Sequence, residues 1–188
     1  MKVVLASQSP RRRELMRRLG FDYITATADV NEDNNNRVVP REYARETALK
    51  KAEAVMPKHP DSLVVAADTI VALDERILGK PRSNEEAKEM LALLSGRHHF
   101  VYTGVALGFR GVCRSFVEKT KVFVSELSPD EIAEYIRTGE PFDKAGAYGI
   151  QGAFGKFIRR IEGDYYNVMG LPINRLYREI KKIMSKKR

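Results

Sequence analysis

A single cysteine, Cys113, stands among the 188 residues, so an internal disulfide is excluded. The three histidines, His59, His98 and His99, add too few soft ligands at useful spacing for a zinc site, which leaves oxygen donors to hold any metal. No apolar run approaches the roughly 20 residues of a membrane helix, and no apolar segment with a small-residue cleavage site opens the sequence. Repeats, low-complexity tracts and long linkers are missing as well. The expectation is one soluble, cytoplasmic domain spanning residues 1–188, with 43% hydrophobic residues to build a sizeable core.

What is present begins with charge. A net charge of +8 suits an anionic partner, although part of the excess lies in the closing IKKIMSKKR, where cations complement a helix carboxyl end. High Lys, Arg and Glu content also occurs in heat-stable proteins, a reading that needs no anion. Charge alone leaves nucleic acid, nucleotide and neither open.

Strand-like and helical segments alternate. Val3 to Ala6, Leu63 to Ala67, Val101 to Phe109 and Phe116 to Val124 have the β-branched, apolar character of strands. Ser83 with Glu86, and Ser128-Pro129 with Glu131, are capping-box patterns that open helices. A last helix lines up Leu176, Tyr177, Ile180, Ile183 and Met184. The predicted class is α/β or α+β, with an extended, partly antiparallel sheet.

Four stretches carry candidate chemistry. In KVVLASQSPRRREL, Ser9 is the expected N-cap and Pro10 the first helical residue, so the helix begins with Arg11, Arg12 and Arg13. Its first turn carries unsatisfied N–H groups and favours anions, so three cations there either greet a phosphate or are exposed at a small dipole cost. In VVAADTIV, Asp68 ends an apolar run, which places its carboxylate at a strand's carboxyl end as a metal ligand, a general base or a turn cap. Lys51 falls on the apolar stripe of Ala44, Thr47, Ala48, Ala52 and Val55, where lysine commonly snorkels to water; Lys80 sits on the Gly79-Pro81 turn. Finally, EPFDKAGAYGIQG and GDYYNVMGLP concentrate glycines beside Lys144 and Gln151, as either a ligand pocket or a tightly packed loop would.

In order along nearly the whole chain, LASQSPRRREL, VVAADTIV, GKP, LSGRHH, the VEKT strand, GEPFDKAGAYGIQG and IEGDYYNVMGLP resemble the Maf family of septum formation proteins. These are nucleoside triphosphate pyrophosphatases with an inosine-triphosphatase-like fold. The combination of Arg11, Thr69 and Gln151 is similar to the branch acting on dTTP and UTP. The resemblance implies an extended mixed sheet flanked by helices around a central cleft. It implies Asp68 as the catalytic acid-base residue, and Ser7, Arg11, Arg12, Lys51 and Lys80 around the triphosphate. Arg11, Thr69 and Gln151 would set base preference. Mg²⁺ or Mn²⁺ would lie between Glu32 and Asp68, and Asn31 stands where many members carry another carboxylate.

Further expectations follow from the resemblance: a nucleoside triphosphate as partner, no membrane, no stable nucleic-acid complex, and a homodimer as an open option. The role would be house-cleaning of nucleotide pools, with a link to cell-division arrest. Two rivals stand beside it. One is a non-enzymatic basic module binding nucleic acid or a division protein, against which the basic residues are dispersed and no nucleic-acid motif occurs. The other is a hydrolase for purine or modified nucleotides.

Overall fold

The computed structural model describes residues 1–30 and 39–185. Seven strands form one mixed sheet: β1 (Val3–Leu5), β2 (Tyr23–Thr25), β3 (Leu63–Leu73), β4 (Arg76–Leu78), β5 (His98–Phe109), β6 (Val112–Val124) and β7 (Ile158–Glu162). Their order is β2-β1-β3-β5-β6-β7, with β4 also against β3. The pairs β2–β1 and β1–β3 are parallel and the rest antiparallel, as the class expected from the sequence requires. Among the described residues six helices pack on it: α1 (Pro10–Arg18), α2 (Pro40–Val55), α3 (Asn84–Leu94), α4 (Pro129–Arg137), α5 (Tyr165–Met169) and α6 (Ile173–Ser185).

Local chemistry sets the helix starts. Ser9 caps α1 by accepting the Arg12 N–H, with Pro10 in the first position. Ser128 and Glu131 form a reciprocal capping box on α4. At α3 the box is half formed: Ser83 accepts the Glu86 N–H, but the Glu86 carboxylate takes the Arg82 N–H instead of returning to Ser83. The sequence pattern specified the cap residue and not the second bond.

The two faces of β3 bury different things, because side chains alternate across a strand. Val64 and Ala66 face α2 and pack with Ala48, Ala52 and Val55. Residues of the other face split into two apolar clusters. One gathers Leu63, Val65 and Ala67 with Leu15 and Met16 of α1 and Leu176 and Ile180 of α6. The second gathers Val71 and Leu73 with Leu91 of α3, Ile132 of α4 and Phe154. Between them runs a polar seam, where Thr103, Thr120 and Asn167 are buried.

Helix α2 can approach β5 closely only because Gly104 has no side chain: a Cβ there would stand 2.1 Å from the Ala44 carbonyl oxygen. Gly104 is the partner of Asp68 in the β3–β5 register, so the same close approach delivers α2 to the site.

One correction concerns Asp68. The expected strand ended at Ala67, whereas β3 continues through Leu73 and Asp68 lies in its interior. The two strands on its outer edge cover only parts of it: β1 pairs with residues 63–65 and β4 with 71–73. Among the described residues no strand pairs with 66–70 on that edge. Asp68 is thus beyond the end of β1 rather than the end of its own strand, which is why a polar pair interrupts an apolar run without terminating it.

Candidate functional site

At this gap in the sheet edge a cleft of about 920 Å³ opens. Ser7, Arg11, Arg12, Lys51, Asp68, Thr69, Lys80 and Gln151, all anticipated from the sequence, line it together. Glu32 and Asn31 lie outside the described residues. The cleft is of the size that takes small ligands.

Its buried wall holds an ion pair. Lys51 Nζ donates to Asp68 Oδ1 at 2.8 Å, and each side chain is only 10% exposed. Lys51 lies on the buried face of α2, so it does not snorkel to solvent; it turns its ammonium into the carboxylate beneath it. Neither charge would be tolerated there alone.

Thr69, the next residue, points to the other sheet face. Arg12 Nη2 donates to Thr69 Oγ1 at 3.0 Å, and Arg12 Nε donates to the Gly170 carbonyl at 2.9 Å. Arg12 Nη1 also reaches Ser7 Oγ at 3.5 Å. Thr103 donates to the Asn167 carbonyl at 3.0 Å and lies 2.9 Å from Thr69 Oγ1, which also reaches the Gly170 carbonyl at 3.4 Å. A hydrogen-bonded chain therefore runs from Arg12 through Thr69 and Thr103 to Asn167. Asn167 anchors its far end by donating to Val101 O and Thr120 Oγ1.

The arginine-headed helix is thus satisfied partly from within. Arg12 donates to Thr69, Gly170 and Ser7 oxygens, while Arg11 pairs with Asp143 Oδ2 at 2.9 Å. Asp143 also takes Lys144 Nζ at 2.5 Å; desolvation pushes its carboxyl up, but the hydrogen bonds and charges of Lys144 and Arg11 together hold it below the usual range. Lys80 also lines the cleft, exposed, in a turn fixed by the Gly146 N–H donating to the Gly79 carbonyl at 2.9 Å. Gly146 adopts a φ of +70° against Val71, which favours glycine at that point of the loop.

Behind this loop, Tyr148 lines the cleft and its hydroxyl sits 2.7 Å from His99 Nε2. Burial, with a smaller contribution from His98, lowers the His99 pKa to about 3, so the ring is neutral. Sequence reasoning did not single out Thr103, Asn167, Asp143 or the His99–Tyr148 pair. Thr103 alone carried a signal, as a hydroxyl between Val101 and Val105 on the buried side of a strand.

A mixed sheet interrupted at one edge, with a buried carboxylate–lysine pair and further cations opening into the interruption, defines an α/β protein with a ligand cleft built for anions. Comparison with known sequences narrows this. A model described as Maf-like protein matches residues 2–183, and the chain belongs to the Maf family. A dTTP/UTP pyrophosphatase of Bacillus cytotoxicus is 50% identical over 184 residues, covering 98% of this chain and 96% of that protein. Another from a Geobacillus strain is 46% identical over 182 residues, covering 97% and 98%. Among solved structures, the Ham1 protein of Staphylococcus aureus aligns with a TM-score of 0.49 and 16% identity, over 66% of this chain and 72% of that one.

Proposed function

We propose that the protein is a nucleoside triphosphate pyrophosphatase that hydrolyses dTTP and UTP between the α and β phosphorus atoms, giving the monophosphate and pyrophosphate. The reading includes action in the cytoplasm on free nucleotides, within a single domain. The observation that carries it is the buried Lys51–Asp68 pair in a nucleotide-sized cleft shared with Ser7, Arg12 and Lys80. The names of the two relatives support the base preference.

Asp68 acts as general base. Its carboxylate accepts the proton of a water as that water attacks the α-phosphorus. Lys51 holds the carboxylate in place at 2.8 Å and keeps a positive charge beside the phosphates. The leaving pyrophosphate carries most of the substrate's negative charge, and Arg11, Arg12, Lys80 and the Ser7 hydroxyl stabilise it. Arg11, Thr69 and Gln151 set base preference. Thr69 lies on the cleft lining, where its hydroxyl oxygen is placed to meet the polar edge of thymine or uracil.

The donor chemistry fits Mg²⁺ or Mn²⁺. No group of three or more His, Cys, Asp or Glu able to hold a metal occurs among the described residues. Asp68 is a hard oxygen ligand on the cleft wall, and Mg²⁺ is commonly held by one or two carboxylates plus substrate phosphates. Asp68 would hold the ion with Glu32, and the ion supplies charge neutralisation at the phosphates.

Nucleoside triphosphates incubated with Mg²⁺, with pyrophosphate scored separately from orthophosphate, test class, bond and base at once. Asp68→Asn lowers kcat on dTTP by about a hundred- to ten-thousandfold while largely sparing nucleotide binding by calorimetry. A fully active Asn variant contradicts the assignment.

A further inference from the structure

The arginine and lysine at the mouth of the cleft are not waiting for substrate. Asp143 Oδ2 takes Arg11 Nη1 at 2.9 Å and Asp143 Oδ1 takes Lys144 Nζ at 2.5 Å. Arg11 heads α1, and Asp143 lies 132 residues away in the Gly-rich segment, so the bridge spans two separate parts of the cleft lining. Asp143 is 64% exposed, whereas Arg11 and Lys144 are 33% and 14% exposed. The anion can therefore swing into water, while Lys144 stays held and Arg11, one-third exposed, stays on the cleft lining. Lys144 Nζ is also fixed by donating to the Glu140 carbonyl at 2.8 Å.

We propose that Asp143 is a built-in competitor for the polyphosphate: it occupies Arg11 and Lys144 in the empty cleft, the substrate's phosphate oxygens displace it, and its return helps expel pyrophosphate. The proposal rests on the pyrophosphatase reading and adds two residues to it, Lys144 as a polyphosphate contact and Asp143 as the group that sets affinity. The energetics suit an exchange. Ion pairs of this exposure contribute little, so a ligand carrying several negative charges replaces them readily. A carboxylate left near the bound phosphates also repels them, which opposes retention of the product.

A structural brace predicts the opposite sign. If Asp143 served only to position Arg11 and Lys144, its loss would loosen both and weaken phosphate binding. Asp143→Asn keeps the shape and removes the charge; Asp143→Glu keeps the charge. Calorimetric titration with inorganic tripolyphosphate, which needs no turnover, should show Asp143→Asn binding about three- to tenfold more tightly than the natural protein. Asp143→Glu should remain near the natural value. In steady state, the KM for dTTP and the inhibition constant for pyrophosphate should fall together by a similar factor, with a smaller change in kcat. Unchanged or weaker tripolyphosphate binding by Asp143→Asn, or equal tightening by Asp143→Glu, overturns the proposal. If the natural protein releases no pyrophosphate from any triphosphate, the functional reading fails instead, and the tripolyphosphate titration still decides the role of Asp143.

Discussion

Replacing Lys51 by Met tests the center of the site, because it removes one charge of a pair and keeps much of the side-chain volume. The partner left behind, Asp68, is 10% exposed and loses the ammonium that stood 2.8 Å away. Breaking a buried pair from one side costs about 3–5 kcal/mol. Against a total stability of roughly 5–15 kcal/mol, that is a large share. With a urea m-value of about 2 kcal/mol/M, the unfolding midpoint falls by about 1.5–2.5 M. The paired change Lys51→Met with Asp68→Asn removes both charges and should recover more than half of that loss, since the uncompensated carboxylate is gone. Urea titrations of Lys51→Met, Asp68→Asn and the double variant, followed by circular dichroism, give the cycle directly. A Lys51→Met protein that loses under about 1 kcal/mol would refute the view that this pair is mutually dependent in a dry wall.

The neutral, buried His99 makes a second prediction. Its pKa in the folded protein is about 3 against 6.5 for an unperturbed ring, so the unfolded chain binds the proton more readily. Stability from this group is complete above pH 6.5 and is lost as pH falls toward 3, by about 3 kcal/mol at pH 4. His99→Gln should flatten that part of the stability curve, and an unchanged acid limb would exclude His99 as its source. A third concerns Gly104→Ala. With the new Cβ only 2.1 Å from the Ala44 carbonyl oxygen, α2 must lift from the sheet, at a cost of about 1–3 kcal/mol or more. Because α2 carries Lys51, activity on dTTP should fall further than the loss of stability explains; an active, normally stable protein would contradict the close approach.

Much of this architecture was legible in local patterns. Ser9 and Ser128 occupy the caps that their neighbours implied, and the stripe Ala44, Thr47, Ala48, Ala52, Val55 is the buried face of α2. That stripe also contained Lys51, but periodicity could not tell a snorkelling lysine from a buried one, since the difference lies in a carboxylate 17 residues onward. The end of β3 was misjudged for a related reason. Asp68 and Thr69 break an apolar run, and only the position of β1 explains why the strand can carry them in its interior. The three-residue strands β2 and β4 are too short to show a period. Asp143 carried no signal for Arg11, because no local rule connects residues 132 apart. Ordered motifs located the lining of the cleft; they did not reveal which of its charges already neutralise one another.

The gap along the outer edge of β3 has a consequence for how such a protein can change. Asp68 and Thr69 are consecutive, yet the pleat hands one to Lys51 behind the sheet and the other to Arg12 in front. A substitution at Thr69 changes contacts with Arg12 and Thr103 on the front face, and one at Asp68 changes the contact with Lys51 on the rear. Descendants of one ancestral chain can therefore vary the two sides of this strand one residue at a time.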